Sequence, residues 1–242
     1  MADLGLFVPS RSHPDGAARL WRAVQDTCQA ATVLLIGLDD DDPQRGDYPP
    51  GPGYASCGKL PRASARVNAM AAGHAAGYAA IGTLGDDDVP ETPGWDTRVL
   101  AALATCPFVF ANDCCPWRDS GWLACHVFMR TETYQRLGYF GPPSLRYLFS
   151  DVAWTAWGQA CGIAYLDDVV IRHERYAIGT AEPDEAYRLS QESAGADLAA
   201  WDEYSRGGAL NDDIAKLGGH PFSRNDLACF NARLGVTGGW PS

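Results

Sequence analysis

The chain has 242 residues, of which 46% are hydrophobic and 11% aromatic, which is enough to bury the core of one domain and excludes a largely disordered protein. Its apolar runs are too short to span a bilayer and its N-terminal residues lack a signal pattern, so we expect no membrane segment and a cytoplasmic location. The net charge of −11 disfavours a general nucleic-acid-binding protein unless a local basic groove exists.

The first part of the chain alternates between apolar runs and segments with helical spacing. The run at 31–38 is continuous enough to be covered on both faces, which is typical of a strand in a parallel sheet. The proline- and glycine-rich segment 43–58 predicts a long loop. We predict strands at 4–8, 31–38 and 78–84, and helices at 15–30 and 61–73. This β-α-β-α-β order indicates a parallel, doubly wound sheet.

The second part of the chain is mixed in character. Trp95, Trp154 and Trp157 are expected in the core, because the last two lie on one apolar stripe of a predicted helix. We predict helices at 97–105, 131–137 and 150–160, and extended segments at 108–112, 123–129, 163–166 and 169–171. Mostly polar helical segments follow. We expect the whole chain to form a single domain.

Three consecutive carboxylates, Asp86, Asp87 and Asp88, follow the predicted strand 78–84. Carboxylates this close repel one another, so they are kept together most easily where a divalent cation such as Mg²⁺ or Mn²⁺ neutralises them. A metal at this position could hold a diphosphate. The alternative is a solvated acidic turn, favoured by the two prolines that follow at positions 90 and 93.

Polar residues follow all three predicted strands of the first part. Ligands of doubly wound sheets lie outside the carboxyl ends of the strands, so Ser10, Arg11, Asp39 and the acidic triplet should converge on one crevice. The residues after Asp39, at positions 40–42, are expected to form a solvated turn. No glycine-rich dinucleotide motif and no P-loop motif is present, which removes the ordinary nucleotide-binding explanations.

Two further polar residues lie at the ends of predicted elements in the second part. Ser150 reads as an N-cap, which places Asp151 in the first turn of a helix, and His173 ends an extended segment. Asp151 could be a catalytic carboxylate or only a helix-start residue favoured by the helix dipole. His173 could be a ligand or an ordinary strand-end histidine.

Five segments follow one another along the chain: PSR at 9–11, LGDDDVPETPGW at 84–95, LGYFGPP at 137–143, FSDVAW at 149–154 and YLDDVVIRH at 165–173. In this order, over roughly residues 4 to 205, they resemble the motifs of glycosyltransferase family 2. The chain resembles the short family 2-like enzymes of actinobacterial bacteriophages. The resemblance implies a GT-A fold: an α/β, Rossmann-like, mostly parallel sheet flanked by helices, with a smaller acceptor-side subregion. It divides the domain into a nucleotide-sugar half (1–95), an acceptor half (96–178) and a C-terminal helical segment (179–242).

The resemblance implies a metal site on the donor side. Asp88, with Asp86 or Asp87, matches the DxD-type motif that holds Mn²⁺ or Mg²⁺ against the donor diphosphate, and His173 matches a histidine that completes this site. Asp86 and Asp87 also count among the residues expected to bind the nucleotide sugar.

The resemblance further implies a nucleotide pocket. Asp39 matches the acidic residue that reads the base, and Arg66, with Arg62, matches basic residues that face the nucleotide. The two arginines could instead simply pair with nearby acids, as many exposed arginines do. The remaining residues expected to line this pocket are Pro9, Ser10 and Arg11.

On the acceptor side, Asp151 takes the place of the family's general base, which implies inverting transfer from a nucleotide sugar, a UDP-sugar foremost, to an acceptor hydroxyl. Trp117 and Trp122 are candidates for stacking against the acceptor. The acceptor could be a hydroxymethylated base of phage DNA, a glycan or a protein. Two other classes stay open: a non-catalytic nucleotide-sugar-binding module, and a metal-dependent nucleotidyltransferase or pyrophosphatase. The sequence does not indicate an oligomeric state.

Overall fold

The computed structural model describes residues 2–60, 63–115, 125–174, 179 and 185–234. Numbered in chain order, the strands are β1 Ala2–Ser10, β2 Thr32–Leu38, β3 Gly53–Ser56, β4 Tyr78–Thr83, β5 Asp88–Pro90, β6 Phe108–Asn112, β7 Val127–Arg130 and β8 Ile163–His173. The helices are α1 Pro14–Thr27, α2 Ala63–His74, α3 Trp95–Leu103, α4 Thr131–Leu137, α5 Ser150–Cys161, α6 Glu185–Arg206, α7 Ala209–Lys216 and α8 Arg224–Arg233.

The strands form one sheet in the order β3-β2-β1-β4-β7-β6-β8-β5. The four strands from β3 to β4 are parallel, which confirms the β-α-β-α-β prediction for the first part of the chain. Strand β7 runs antiparallel to both of its neighbours, and β5 runs antiparallel to β8. The predicted α/β fold class is confirmed, with antiparallel strands added in the second part.

Side chains that alternate along the strands build a separate core on each face of the sheet. In β1, for example, Leu6 packs into one core and Phe7 into the other, and both are fully buried. Helices α1 and α3 cover the Leu6 face, while α2, α5 and α6 cover the Phe7 face. The three tryptophans predicted in the core, at positions 95, 154 and 157, are indeed buried there. Among the described residues, no helix is long and apolar enough to cross a membrane.

Three predictions for local structure differ from the structure. The segment 43–58 is not all loop, because Gly53–Ser56 forms edge strand β3, whose largely exposed side chains give no apolar signal. The extended segments at 163–166 and 169–171 belong to one strand, β8, which bears an irregularity beside Asn112 of β6. The strand predicted at 123–129 begins at Val127 and ends at Arg130 in the structure, and residues 123 and 124 lie outside the described part of the chain.

Candidate functional site

The carboxyl ends of β1, β2 and β4 bring three segments of the sequence into direct contact. Ser10, the last residue of β1, is buried, and its hydroxyl donates a hydrogen bond to Asp86, just after β4. Its oxygen also lies 2.9 Å from the hydroxyl of Tyr48. The neighbouring Arg11 donates to Asp39, which follows β2. The polar residues expected at this edge of the sheet are therefore in contact with one another.

Asp39 is a buried carboxylate shared by two arginines. Arg66, on α2, donates from Nε to Oδ1 at 2.8 Å and from Nη2 to Oδ2, and both residues are at most 5% exposed. Arg11 donates from Nη1 to Oδ2 of the same carboxylate at 2.9 Å. A bidentate arginine offsets the cost of burying this charge and fixes its orientation. Arg66 thus pairs with a nearby acid, which was one of the two interpretations of the sequence. The pair is buried, however, and not exposed to solvent.

The turn after Asp39 is only partly solvated. Asp41 is exposed, and the hydrogen bond from Arg11 holds the pKa of its carboxyl below its usual value. Asp42 is 6% exposed, so its prediction as a solvated residue is wrong. Burial opposes its ionisation, but the backbone N–H groups of Ser12 and Gln44 donate to its carboxylate and lower its pKa overall. The buried carboxylate of Asp42 therefore stabilises the turn by accepting hydrogen bonds from its backbone and from that of Ser12.

The acidic triplet is divided between two sets of contacts. Asp88 lies in β5 directly opposite His173 in β8, and its Oδ1 is 3.8 Å from Nδ1 of that histidine. Asp87 Oδ2 lies 3.0 Å from Nε2 of the same ring. One oxygen or nitrogen from each of these three residues lies within 4.8 Å of the others. Two carboxylates and an imidazole at such separations form a donor set suited to Mn²⁺ and compatible with Mg²⁺.

Asp86 belongs to the other set of contacts, although the sequence indicated it as a metal ligand. Besides accepting from Ser10, its Oδ1 lies 3.2 Å from Nδ1 of His13. Burial raises the pKa of Asp86, and the charge of Asp87 acts in the same direction, while His13 opposes both. Of the two carboxylates that the sequence offered as partners of Asp88, it is Asp87 that lies in the described group with Asp88 and His173.

Sequence reasoning missed His13 and Tyr48. His13 follows the Pro9-Ser10-Arg11 segment, so its position just past β1 was an available signal that it lies at the same sheet edge. Tyr48 had no such signal, because it lies in a loop and reaches the site through contacts with Ser10 and with the backbone N–H of His13. Burial raises the pKa of the Tyr48 phenol to about 12, so this hydroxyl stays protonated at neutral pH.

Asp151 lies in the first turn of α5 and is half-buried, and its Oδ1 accepts a hydrogen bond from the backbone N–H of Val152 at 2.9 Å. The preceding Ser150 contacts Ser64, with their hydroxyl oxygens 3.0 Å apart. Asp39 and its two arginines, Arg11 and Arg66, are called the Asp39 cluster. Ser64 is in the first turn of α2 and Arg66 is in the same helix, so α2 joins the Asp39 cluster to the start of α5.

The remaining predicted residues divide into two groups. Pro9 pairs with Gly37 in the β1/β2 ladder and is partly exposed at the sheet edge. Arg62, Trp117 and Trp122 lie outside the described residues.

The fold is similar to those of solved glycosyltransferases. A mannosyltransferase from Pyrobaculum calidifontis, in complex with GDP-Man and Mn²⁺, matches with a TM-score of 0.55 at 12% identity, over 98% of this chain and 87% of its own. Glucosyl-3-phosphoglycerate synthase from Mycobacterium tuberculosis, in complex with Mn²⁺, UDP and phosphoglyceric acid, matches with a TM-score of 0.58 at 10% identity, over 82% and 78%. No protein-family model and no curated sequence matches the chain. The chain therefore has the fold of the GT-A glycosyltransferases.

Proposed function

We propose that this protein is a metal-dependent glycosyltransferase that uses a nucleotide-sugar donor. The observation that carries the proposal is the Asp87, Asp88 and His173 cluster, whose two carboxylates follow the parallel strand β4. The structural neighbours with Mn²⁺ and GDP-Man or UDP support it. The assignment to family 2 and the phage resemblance rest on the five ordered sequence motifs.

We assign the metal site to Asp87, Asp88 and His173, and the ion to Mn²⁺ or Mg²⁺. When bound, such an ion supplies Lewis acidity that neutralises charge on the departing diphosphate. The chain prepares this site by pairing β5 with β8, which sets Asp88 opposite His173. A hydrogen bond from the backbone N–H of Gly85 to Asp88 Oδ2, at 2.7 Å, orients the buried carboxylate. Asp86, held by Ser10 and His13, supports the loop that carries the ligands.

The nucleotide is proposed to bind along Pro9, Ser10, Arg11 and Asp39. Arg66 would orient Asp39 through its two hydrogen bonds to that carboxylate. Both oxygens of Asp39 accept hydrogen bonds from guanidinium groups, so a base N–H must use a remaining lone pair of this carboxylate or displace a donor. Arg11 is the more exposed donor, with 25% of its side chain accessible against 7% for Arg66. We therefore expect Arg11 to move when the nucleotide binds. For the nucleotide itself we keep the UDP that the family resemblance implies.

Asp151 is proposed as the general base of inverting transfer of a hexosyl group. Its carboxylate would take the proton of an acceptor hydroxyl as that oxygen attacks the anomeric carbon from the face opposite the diphosphate. Asp151 is half-buried, and its hydrogen bond from the backbone N–H of Val152 goes to Oδ1. Trp117, Trp122 and Arg62 keep their proposed roles in binding the acceptor and the nucleotide, and the acceptor is a DNA base, a glycan or a protein.

Donor binding and hydrolysis test the proposal. The purified chain is mixed with UDP-glucose, UDP-galactose or GDP-mannose, with Mn²⁺ or with EDTA, and nucleoside diphosphate release is followed. We expect one donor to bind only with metal, and Asp88→Ala to abolish that binding. Asp151→Asn should retain binding but release nucleoside diphosphate much more slowly. Release of nucleoside monophosphate or pyrophosphate would indicate nucleotidyl transfer instead. If the donor binds but is not turned over, even when candidate acceptors are added, the protein is a binding module.

A further inference from the structure

Asp197 is a fully buried carboxylate in α6, far along the sequence from every residue assigned to the site. Its two oxygens accept hydrogen bonds from three consecutive backbone N–H groups, at 2.8 Å from Arg146 and at 3.1 Å from both Tyr147 and Leu148. The hydroxyl of Ser193, one turn earlier in α6, donates a fourth at 3.0 Å. All four partners donate, so this position suits a side chain with two acceptor oxygens and no donor.

The segment that Asp197 holds leads directly into the helix that carries Asp151. Phe149, between the segment and α5, has a φ of +69°, a left-handed conformation that a phenylalanine adopts only when its surroundings impose it. Its side chain is 2% exposed, and its carbonyl accepts the N–H of Ala153 in the first turn of α5. The chain therefore enters α5 through a strained turn that needs support from outside.

Support comes from two sides of the segment. On one side, α6 supplies Asp197. On the other, α2 supplies Ser64, whose N–H donates to the carbonyl of Arg146 at 3.2 Å and whose hydroxyl lies 3.0 Å from that of Ser150. Without the carboxylate of Asp197, three adjacent backbone N–H groups would lose this shared acceptor, and the turn would rearrange to satisfy them.

We propose that Asp197 is a positioning residue for the acceptor-side chemistry: it fixes the strained turn 146–149 and thereby sets the place of Asp151. This inference rests on the proposed role of Asp151 as the general base. Helix α6 would then contribute to the acceptor-side chemistry by holding the turn before α5. The carboxylate acts through the backbone and does not itself touch donor or acceptor.

The test compares Asp197→Asn with the wild type and with Asp213→Asn. The asparagine keeps the size of the side chain but turns one acceptor group into a donor that faces backbone N–H groups. Asp213 is a matched control, because it is a similarly buried carboxylate of the C-terminal helices whose hydrogen-bond donors, Tyr139, Tyr204 and Lys216, all lie outside the turn 146–149.

Two readouts separate positioning from general stability. Hydrogen exchange should accelerate at least about 10-fold at residues 146–148 in Asp197→Asn, and not in Asp213→Asn. Nucleoside diphosphate release from the donor that the wild type hydrolyses should fall about 10- to 100-fold per folded molecule, because small displacements of a catalytic group have effects of this size. The Kd for Mn²⁺ with UDP should stay within about twofold, since only the reaction step is affected.

The inference is overturned if Asp197→Asn hydrolyses the donor like the wild type, or if its affinity for Mn²⁺ and UDP falls together with its rate. If the asparagine variant does not fold, Ser193→Ala removes only one of the four hydrogen bonds and decides the question. That variant should show faster exchange at 146–148 and a rate reduced about threefold, and an unchanged rate would refute the inference. Failure of the wild type to bind any nucleotide sugar would instead contradict the proposed function.

Discussion

Asp88 and His173 face each other across the antiparallel pair formed by β5 and β8, two segments that are far apart in the sequence. The same histidine contacts Asp87 through its other ring nitrogen, 3.0 Å from the carboxylate. A three-residue strand thus brings the end of the acidic triplet against a residue from the second part of the chain. This pairing brings together the three residues of the proposed metal site.

We expect His173→Ala to weaken Mn²⁺ binding at least about 10-fold, because it removes one of three side-chain ligands of the proposed site. Binding is measured by titration calorimetry in the presence of UDP. His220→Ala is the control, since His220 lies in the turn before α8 and belongs to no described metal-binding group. Equal Mn²⁺ affinity in the His173 variant and the wild type would remove this histidine from the site.

Replacing Asp151 by asparagine should lower the rate of nucleoside diphosphate release by about 10²- to 10⁴-fold, the usual contribution of a general base. The affinity for the donor should not change, because Asp151 is proposed to act on the acceptor side. Asp15→Asn is a matched control: Asp15 is also an acidic residue in the first turn of a helix, α1, but it is exposed. If both variants lose the same small amount of stability and neither loses activity, Asp151 is only a helix-start residue.

Loss of Arg66 should cost more stability than loss of an exposed arginine. Arg66→Ala leaves the buried charge of Asp39 with Arg11 alone, and removing one partner of a buried pair typically costs about 3–5 kcal/mol. Arg136→Ala, which breaks an exposed pair with Glu132 in α4, should cost about 0.5 kcal/mol or less. The free energy of unfolding in urea measures both. Similar losses in the two variants would contradict the structure of the Asp39 cluster.

Asp96 should make the stability of the protein depend on pH in the acid range. It is fully buried and accepts hydrogen bonds from the N–H groups of Gln29 and Ala30 and from the hydroxyl of Thr32. Burial opposes its ionisation, but these hydrogen bonds outweigh that effect and lower its pKa below the usual value.

Because the folded-state pKa is the lower one, Asp96 stabilises the fold at neutral pH, and this contribution is lost as the pH falls below the unfolded-state pKa of about 4. We expect Asp96→Asn to cost about 1–3 kcal/mol at pH 7 and progressively less towards pH 3. Urea unfolding at several pH values measures the difference, with exposed Asp167→Asn as the control. A difference that does not change with pH would show that the charge of Asp96 is not what stabilises the fold.

Much of the fold could be predicted from local patterns. Apolar runs predict the parallel strands β1, β2 and β4, because both faces of these strands are buried. Helical spacing predicts the helices between them. Strand β3 could not be predicted in this way, because an edge strand with exposed side chains carries no apolar pattern. Strand β5 has three residues and forms only because β8 lies beside it.

The candidate site, like the fold, could be predicted only in part from the sequence. That polar residues follow each parallel strand can be read from the sequence, and the topology of such sheets then brings Ser10, Arg11, Asp39 and the acidic triplet to one edge. Which carboxylate of the triplet faces His173 cannot be read from three identical residues, because the answer depends on the register of β5 against β8.

Local patterns in the chain were enough to predict the alternation of elements, the two-faced core and the edge at which the polar residues gather, because burial periodicity and strand direction are local properties. The folded structure was needed to show that Asp87 and Asp88, not Asp86, approach His173, that Arg66 and Arg11 share Asp39, and that Asp197 reaches the turn before Asp151. Each of these contacts joins segments that are distant along the chain, and their geometry follows from sheet register and helix packing, which no local pattern encodes.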